Sequence, residues 1–330
     1  MKALLSKAPG GPETLVLEDI ESPTAGKGEV VIAIKAIGIN FPDSLIIKDM
    51  YQFKPERPFS PGGEVSGTIK ELGEGVTHLQ VGQRVIGSCG WDGMREELAI
   101  HAGRCIPIPD SVPFDEAAAF VLTYGTSYYA LKNRADPKPG EKLLILGAAG
   151  GVGVAAIELG KAMGLEVIAA CSTQEKVDFC LSKGADKGLV YERAPLDKGQ
   201  QKTLSNQIKE ISDGGVDIIY DAVGGDYAEP CVRAMNWEGR FLVVGFPAGI
   251  PKLPLNLTLL KSCDIRGIFW GAWVARAPEE NIENLTEMFQ MYGEGKIKPH
   301  ISKTFPLENG GDAIQYLMDR KAMGKVVVTV

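Results

Sequence analysis

The sequence lacks the cysteine pattern of a disulfide-stabilised protein. Its six cysteines are scattered along the chain, and no two of them form a CxxC pair. In a chain of 330 residues this usage is typical of reduced, mostly buried thiols. The amino-terminal stretch MKALLSKAPGGPE turns polar too early to match the apolar region of a secretory signal. We therefore expect a cytoplasmic protein.

Two further absences narrow the function classes. No stretch approaches the roughly 20 consecutive apolar residues that a membrane-spanning helix needs. The formal net charge of −7 disfavours a nucleic-acid-binding surface, because such surfaces need clustered lysine and arginine. An apolar fraction of 45% is ordinary for a globular protein. We expect a small-molecule substrate as partner, and neither nucleic acid nor membrane.

The sequence does contain two regions of different rhythm. Before about residue 120, β-branched runs such as EVVIAIKAIGI and EVSGTIKELG are interrupted by glycine and proline, which predicts a barrel-like or irregular β domain. After about residue 140, apolar strands alternate with helical patterns, which predicts βαβ units and a doubly wound parallel sheet. The six predicted strands cover 142–147, 166–171, 188–191, 216–221, 240–245 and 264–269.

The tail departs from this alternation. It contains a longer helical pattern near 278–295, a strand near 301–307, a helix near 309–321 and a final strand, KVVVTV. We expect the tail to return to the first domain.

A glycine-rich loop follows the first strand of the alternating region. Ala148-x-Gly150-x-x-Gly153 is a variant of the GxGxxG fingerprint, and it lies between a predicted strand and a predicted helix. Gly150 allows the backbone to approach a pyrophosphate, and Gly153 allows close packing of helix and strand. The helix N-terminus attracts the phosphates. We predict that a dinucleotide contacts Ala149, Gly150, Gly151, Val152 and Gly153.

The second strand of this region indicates which dinucleotide binds. NAD sites usually carry Asp or Glu at its end, whereas this strand ends in Cys171 and continues with Ser172 and Thr173. Lys176 is placed to meet a 2′-phosphate, although a surface lysine on a helix is the alternative. Together, the missing acid, Ser172 and Lys176 favour NADPH.

Several motifs in order resemble one family. The stretch from Gly140 to Gly153, followed by Lys161, resembles the signature of the quinone oxidoreductase (zeta-crystallin) family, within the medium-chain dehydrogenase/reductase superfamily. Glu158 stands where the signature has glutamine. GINFPDSLIIKDMY, LTYGTSYYAL, DAVGG and GKVVVTV also fit, so the resemblance covers essentially the whole chain.

The resemblance implies an α/β fold with two domains. A GroES-like catalytic domain would cover residues 1–123, and a Rossmann domain with six parallel strands would cover 124–264. A return segment, 265–330, would complete the catalytic domain. In this superfamily the last Rossmann strand often pairs with its copy, so we expect a homodimer through the Rossmann domain.

The resemblance also implies a site without metal. Zinc-dependent relatives place cysteine, histidine and cysteine where this chain has Asn40, Gly63 and Leu122, and zinc favours thiolate and imidazole ligands. Without a Lewis acid, an alcohol's developing alkoxide has no stabiliser, which disfavours an ordinary alcohol dehydrogenase. Quinones and α,β-unsaturated carbonyl compounds spread negative charge by conjugation, and we expect such acceptors.

Site residues follow from the resemblance position by position. Asn40 is expected beside the nicotinamide, where it hydrogen-bonds a substrate oxygen. Tyr51 is expected at the substrate pocket, as a proton or hydrogen-bond donor or as an aromatic wall. Leu45 and Gly63 replace polar residues of some relatives, which indicates a more apolar pocket. The further expected cofactor contacts are Thr126, Tyr191 (alternatively a core aromatic), Val223, Gly224, Gly245, Phe246, Phe269, Gly271 and Lys325.

Three functions follow from these expectations. The leading hypothesis is a metal-free, NADPH-dependent reductase that transfers hydride to quinones or similar electron-poor carbonyl compounds. The first alternative is an NADPH-dependent carbon–carbon double-bond reductase of 2-enoyl or acrylate-type substrates. The second is a non-catalytic NADPH-binding protein with a structural or regulatory role.

Overall fold

The computed structural model describes all 330 residues. The chain forms two compact units: Met1–Leu122 together with Pro299–Val330, and Thr123–Lys298. The strands are β1 (Lys2–Leu5), β2 (Val16–Asp19), β3 (Glu29–Ile39), β4 (Glu64–Leu72), β5 (Arg84–Ser88), β6 (Glu97–His101), β7 (Cys105–Pro107), β8 (Lys142–Leu146), β9 (Glu166–Cys171), β10 (Lys187–Val190), β11 (Val216–Asp221), β12 (Met235–Val243), β13 (Asp264–Gly267), β14 (Ile301–Pro306) and β15 (Lys325–Thr329).

Helices occur in both units. They are α1 (Phe41–Ile46), α2 (Phe114–Ala118), α3 (Val121–Tyr128), α4 (Gly151–Ala162), α5 (Gln174–Ser182), α6 (Lys198–Ile211), α7 (Ala228–Arg233), α8 (Asn256–Lys261), α9 (Trp270–Val274), α10 (Pro278–Gly293) and α11 (Gly310–Met318). A π-helical segment, Tyr129–Ala135, continues α3. None of these helices combines the length and apolarity needed to cross a bilayer.

The second unit is built on a six-stranded parallel sheet in the order β10-β9-β8-β11-β12-β13. Its central strand β8 has four consecutive buried residues, Leu143–Leu146, as expected for a strand buried on both faces. The strand order reverses between β8 and β11. In folds of this kind ligands bind outside the carboxyl ends of the strands at that reversal. The predicted doubly wound sheet is therefore confirmed.

The first unit is built on a seven-stranded sheet. Its order is β14-β15-β3-β4-β5-β7, and β6 also pairs with β3. All of these pairs are antiparallel except β14 with β15. One apolar core cluster of this unit includes Ile32, Ile34 and Val326, so residues from both ends of the chain share that cluster.

The tail returns to the first unit later than the sequence suggests. Its last strand, β15, pairs with β3 and places Val326 opposite Ile39. Residues 265–298, which the prediction assigned to the return segment 265–330, lie instead in the second unit. They do so because β13 hydrogen-bonds to β12 and Asn284 of α10 donates to the side chain of Asn133 at 2.8 Å.

Two smaller expectations can be placed on this fold. All six cysteines are free and buried, which agrees with the predicted burial of the thiols. Strand β13 lies at the edge of the six-stranded sheet, with β12 as its one neighbour. The edge position is compatible with the pairing of two copies, and the homodimer stays a prediction.

Candidate functional site

The glycine loop lies at the carboxyl end of the central strand β8. Gly150 has extended backbone angles and is the residue before α4. Val154 is the first residue of α4 whose N–H donates to a carbonyl in this turn. Its acceptor is the Gly150 carbonyl, at 2.8 Å. The N–H groups of Gly151, Val152 and Gly153 precede that bond and have no intrahelical acceptor. The first turn of α4 contains no acidic residue, so its partial positive charge is not neutralised.

The two fingerprint glycines serve different needs. A Cβ at Gly153 would lie 2.6 Å from the carbonyl oxygens of both Gly147 and Ala148, so only glycine allows α4 to approach the turn this closely. A Cβ at Gly150 would meet only the Gly147 oxygen, at 3.4 Å, and otherwise open space. Gly150 therefore leaves open space at the N-terminus of α4. The loop thus fits a pyrophosphate.

Asp221 holds the loops that follow two neighbouring strands. It ends β11, and its Oδ1 accepts hydrogen bonds from the N–H groups of Val223 at 2.9 Å and Gly224 at 2.8 Å. Its backbone oxygen accepts from Gly245 at 3.2 Å, in the loop after β12. Gly224 has a φ of 72°, and a Cβ there would lie 2.6 Å from that of Phe246. Four expected cofactor contacts therefore lie together.

Asp221 itself was missed by sequence reasoning. Its only signal is a carboxylate at the end of a mostly apolar strand, VDIIYD, a pattern that predicts a strand and nothing more. The side chain is fully buried, and its Oδ2 has no hydrogen-bond partner. Burial raises the pKa of Asp221 to about 6, although the two N–H donors oppose the rise.

Thr126 is half-buried on α3 beside two other parts of the expected site. The hydroxyl of its neighbour Ser127 donates to the carbonyl of Val152 at 2.9 Å, at the start of α4. A Cβ on its other neighbour, Gly125, would lie 2.8 Å from the ring of Trp270. Trp270 lies between Phe269 and Gly271 in the chain. The two neighbours of Thr126 therefore contact the start of α4 and the segment 269–271.

The end of β9 carries the residues expected at the adenosine side. Thr173 is the residue before α5, and its Oγ1 accepts from the Lys176 N–H at 3.3 Å. Ser172 and Lys176 are both partly exposed. Tyr191 donates its backbone N–H to Cys171 at 2.8 Å, and its buried ring lies 4.8 Å from that of Tyr227. The burial of Tyr191 favours the alternative, a core aromatic.

A polar cluster lies in the first unit, where β3 leads into α1. Asn40 follows β3, and its backbone N–H donates to Asp43 Oδ2 at 2.7 Å. The other carboxylate oxygen of Asp43 accepts from the Gly62 N–H at 3.0 Å. Asp43 is buried, and burial raises its pKa to about 6 against the effect of these donors and of Lys325. A buried carboxyl with a raised pKa therefore lies beneath this turn.

The Asn40 side chain has partners within the first unit on both of its polar atoms. Its Oδ1 accepts from Lys325 Nζ at 2.7 Å, and its Nδ2 donates to the Gly38 carbonyl at 3.1 Å. Nδ2 also lies 3.4 Å from Glu64 Oε2. Lys325 was expected to approach the cofactor, whereas the structure buries its ammonium among Asn40, Ile39 and Glu64.

Glu64 and Asp43 were missed by sequence reasoning. Each is a single carboxylate in an apolar or glycine-rich stretch, PGGEVSG and NFPDSLI, and that placement was the available signal. The pairing of β3 with both β4 and β15 joins residues that are far apart in the chain. No spacing rule could reveal this.

Tyr51 lies near the same cluster. It is partly buried, and its ring is 5.9 Å from that of Phe53 in an edge-on arrangement. Burial, helped by the negative charge of Asp43, raises the pKa of the Tyr51 hydroxyl. Tyr51 therefore keeps its proton at neutral pH and is a hydrogen-bond donor.

The chain matches two family models. Residues 26–110 match the alcohol dehydrogenase GroES-like domain, and residues 151–290 match the zinc-binding dehydrogenase model. The chain is also 37% identical over 333 residues to the quinone oxidoreductase-like protein 2 homolog of Nematostella vectensis, covering 99% of this chain and 88% of that protein. The chain belongs to the quinone oxidoreductase family of the medium-chain dehydrogenase/reductase superfamily. The resemblance inferred from the motifs is confirmed.

Solved structures support the same assignment. The Escherichia coli quinone oxidoreductase in complex with NADPH has a TM-score of 0.90 and 28% identity, with 100% of each chain covered. An enoyl reductase, CurK, has a TM-score of 0.87 and 26% identity, with 99% of each chain covered. The protein is therefore an oxidoreductase of this superfamily that uses a nicotinamide dinucleotide. No group of three or more His, Cys, Asp or Glu side chains is placed to hold a metal ion.

Proposed function

We propose that the protein is an NADPH-dependent reductase that transfers hydride to quinones or similar electron-poor carbonyl compounds. The observation that carries the cofactor part of the proposal is the glycine loop. The N–H groups of Gly151, Val152 and Gly153 have no acceptor within the helix, and the first helical turn contains no acidic residue. The likeness to a quinone oxidoreductase complexed with NADPH supports both the cofactor and the acceptor class.

Residues of the second unit would hold the cofactor. The loop N–H groups bind the pyrophosphate, and Ser172 with Lys176 binds the 2′-phosphate. The loops organised by Asp221 contribute backbone groups. When bound, NADPH supplies the hydride. The further proposed contacts are Thr126, Val223, Gly224, Gly245, Phe246, Phe269 and Gly271.

Residues of the first unit would bind the acceptor. Asn40 offers its amide N–H to the acceptor oxygen, and Tyr51 offers a protonated hydroxyl. A conjugated acceptor spreads the charge that hydride brings, so hydrogen bonds and positioning are enough to lower the barrier. The residues at the positions of the zinc ligands of relatives, Asn40, Gly63 and Leu122, offer no thiolate or imidazole.

A second candidate is a carbon–carbon double-bond reductase. The likeness to the CurK enoyl reductase favours it, because that structure covers the chain almost as completely as the quinone oxidoreductase does. The hydride geometry is common to both reactions. Leu45 and Gly63, which make the expected pocket more apolar, are compatible with either acceptor.

An acceptor panel tests the proposal. NADPH oxidation is followed with a simple quinone, a 2-enal, an acrylate and an acryloyl thioester, and NADH is run in parallel. We expect the quinone to be the fastest acceptor. Turnover mainly of the alkenes would instead establish the double-bond reductase. Tight NADPH binding with no turnover on any acceptor would contradict both and favour the non-catalytic role.

We also propose a homodimer in which the edge strand β13 pairs with its copy. Pairing would cover the unpaired backbone groups of that edge. Light scattering at micromolar concentration is expected to give twice the mass of one chain. The mass of a single chain would contradict this proposal.

A further inference from the structure

Three ionisable side chains are buried together around Asn40. Asp43, Glu64 and Lys325 are only 3%, 1% and 4% exposed, and Asn40 itself is 6% exposed. Taking charged groups out of water is costly, and replacing a buried ion pair with apolar residues is often neutral or stabilising. Stability alone is therefore a weak reason for this cluster to exist.

The cluster allows the Asn40 amide one orientation. A lysine ammonium has donors and no acceptor, so the atom 2.7 Å from Lys325 Nζ must be the amide oxygen. The Gly38 carbonyl at 3.1 Å can only accept, so it must face the amide NH2. Neighbours on both sides of the amide thus select the same orientation.

Glu64 and Lys325 are themselves held in place. Glu64 Oε1 accepts from the Leu122 N–H at 2.8 Å, and the backbone of Val121 also hydrogen-bonds this carboxylate. Lys325 Nζ donates to the Ile39 carbonyl at 3.2 Å and lies 3.6 Å from Glu64 Oε2. The pair therefore forms a rigid support behind the amide rather than a mobile one.

The pair also changes the amide electronically. A charged donor on Oδ1 withdraws electron density through the amide and makes its N–H groups stronger donors, because hydrogen bonds in a chain polarise one another. Of the contacts that the amide makes, the one from Nδ2 to Glu64 Oε2 is the longest, at 3.4 Å. Its hydrogen is the one least committed within the protein.

We propose that Lys325 and Glu64 are a positioning pair for Asn40. They fix which end of the Asn40 amide carries the NH2, and Lys325 strengthens the N–H that Asn40 offers to the acceptor oxygen. Through the Asn40 amide, the positive charge of the buried Lys325 ammonium thus stabilises the anion formed by hydride transfer, although Lys325 does not contact that anion. This inference rests on the proposed function.

Replacing the ion pair by neutral side chains of similar size separates this role from a structural one. In the full-length double variant E64Q/K325M both charges are removed together, so no uncompensated charge is left from the pair. We expect a thermal midpoint close to that of the wild type and NADPH binding, measured by fluorescence titration, within about twofold. We expect kcat with the best acceptor to fall about ten- to a hundredfold, less than the loss of a direct donor.

Two further variants keep the test decisive. K325R retains the charge and the donors, so it should recover most of the kcat that K325Q, which has a neutral donor, loses. The exposed Lys303→Gln on β14 is the matched control and should change neither kcat nor the midpoint. If E64Q/K325M does not fold, the comparison of K325R with K325Q gives the answer.

Each outcome has one meaning. An unchanged kcat in folded E64Q/K325M, or equal kcat for K325R and K325Q, would overturn the positioning role and leave the proposed function intact. A wild-type protein that turns over no acceptor would overturn the proposed function and, with it, this inference.

Discussion

The two groups of candidate functional residues, one in each unit, are built in different ways. In the second unit the glycine loop offers backbone N–H groups, and its geometry depends on residues within one turn of chain, from Gly147 to Gly153. In the first unit the polar cluster offers side chains that come from residues 40, 43, 64 and 325, which three paired strands bring together. A local sequence motif determines the glycine loop, whereas only the tertiary structure brings the polar cluster together.

This difference predicts how substitutions impair the glycine loop and the polar cluster. A substitution in the loop acts sterically, because an added Cβ either has no room or blocks the ligand. A substitution in the cluster acts through electrostatics, because every polar atom of Asn40 is already shared with a neighbour. The variants below test that contrast, beginning with the largest expected effect.

Asn40→Asp should reduce the efficiency with which the acceptor is used more than the other substitutions do. The substitution keeps the shape of the side chain but places an oxygen where the NH2 now faces the Gly38 carbonyl and Glu64. We expect kcat/KM for the acceptor to fall about a hundredfold or more, as when a donor to a developing anion is removed. Steady-state kinetics with varied acceptor measure this, and NADPH binding should change far less. Asn206→Asp, exposed on α6, is the control.

Gly153→Ala should impair the glycine loop. Its Cβ would lie 2.6 Å from two carbonyl oxygens, so α4 must move away from the turn. We expect a loss of about 1–3 kcal/mol of unfolding free energy from overpacking, together with roughly tenfold weaker NADPH binding. Denaturant unfolding and fluorescence titration measure the two effects.

The matched control for that variant is another helical glycine. Gly293, at the end of α10, has nothing within 4 Å of the position of a Cβ. Gly293→Ala should leave NADPH binding unchanged and raise stability slightly, because alanine is the better helix former. Equal losses in the two glycine variants would show that Gly153 has no special role.

Lys176→Ala should change cofactor choice rather than overall activity. If Lys176 meets the 2′-phosphate, the affinity for NADPH falls about tenfold while that for NADH is unchanged, since NADH lacks this phosphate. Titration with both cofactors measures the ratio, and Lys183→Ala, just after α5, is the control. Parallel weakening of both cofactors would remove Lys176 from the phosphate site.

Asp221→Asn tests the carboxylate that holds the loops. The pKa of Asp221 is raised from an ordinary value of 3.8 to about 6, so the folded state binds this proton more tightly than the unfolded state. Its contribution to stability is therefore full below about pH 4 and is lost as pH rises through about 6.

The asparagine variant should lack that contribution. We expect the gain in unfolding free energy between pH 7 and pH 5 to be smaller in Asp221→Asn than in the wild type, by about 1 kcal/mol. Urea unfolding at the two pH values measures the difference. An identical pH dependence in both proteins would show that Asp221 is not the group responsible.

Predictability from the sequence follows the same division. The six parallel strands and the glycine loop were predictable because apolar runs, helical periods and glycine spacing are local patterns. The boundary at residue 298 was not, because α10 has an ordinary amphipathic pattern that does not state which unit it packs against.

The burial and contacts of single charged residues were even harder to predict from the sequence than the boundary between the units. Asp221, Glu64 and Asp43 are single carboxylates in apolar or glycine-rich stretches, and the folded structure is needed to show that they are buried. Lys325 was singled out as a cofactor contact from the terminal motif, yet its partners are Asn40 and Glu64. The resemblance singles out Lys325, and the structure adds its contacts within the first unit, while the cofactor contact stays a prediction.

Reduction of a quinone by NADPH is the reaction proposed for this protein, and the sharpest test is kcat/KM for NADPH compared with NADH, each measured with a simple quinone. We predict measurable turnover with NADPH preferred by at least about tenfold, as expected for a site that binds the 2′-phosphate. Equal or greater efficiency with NADH, or no reduction of the quinone with either cofactor, would contradict the account.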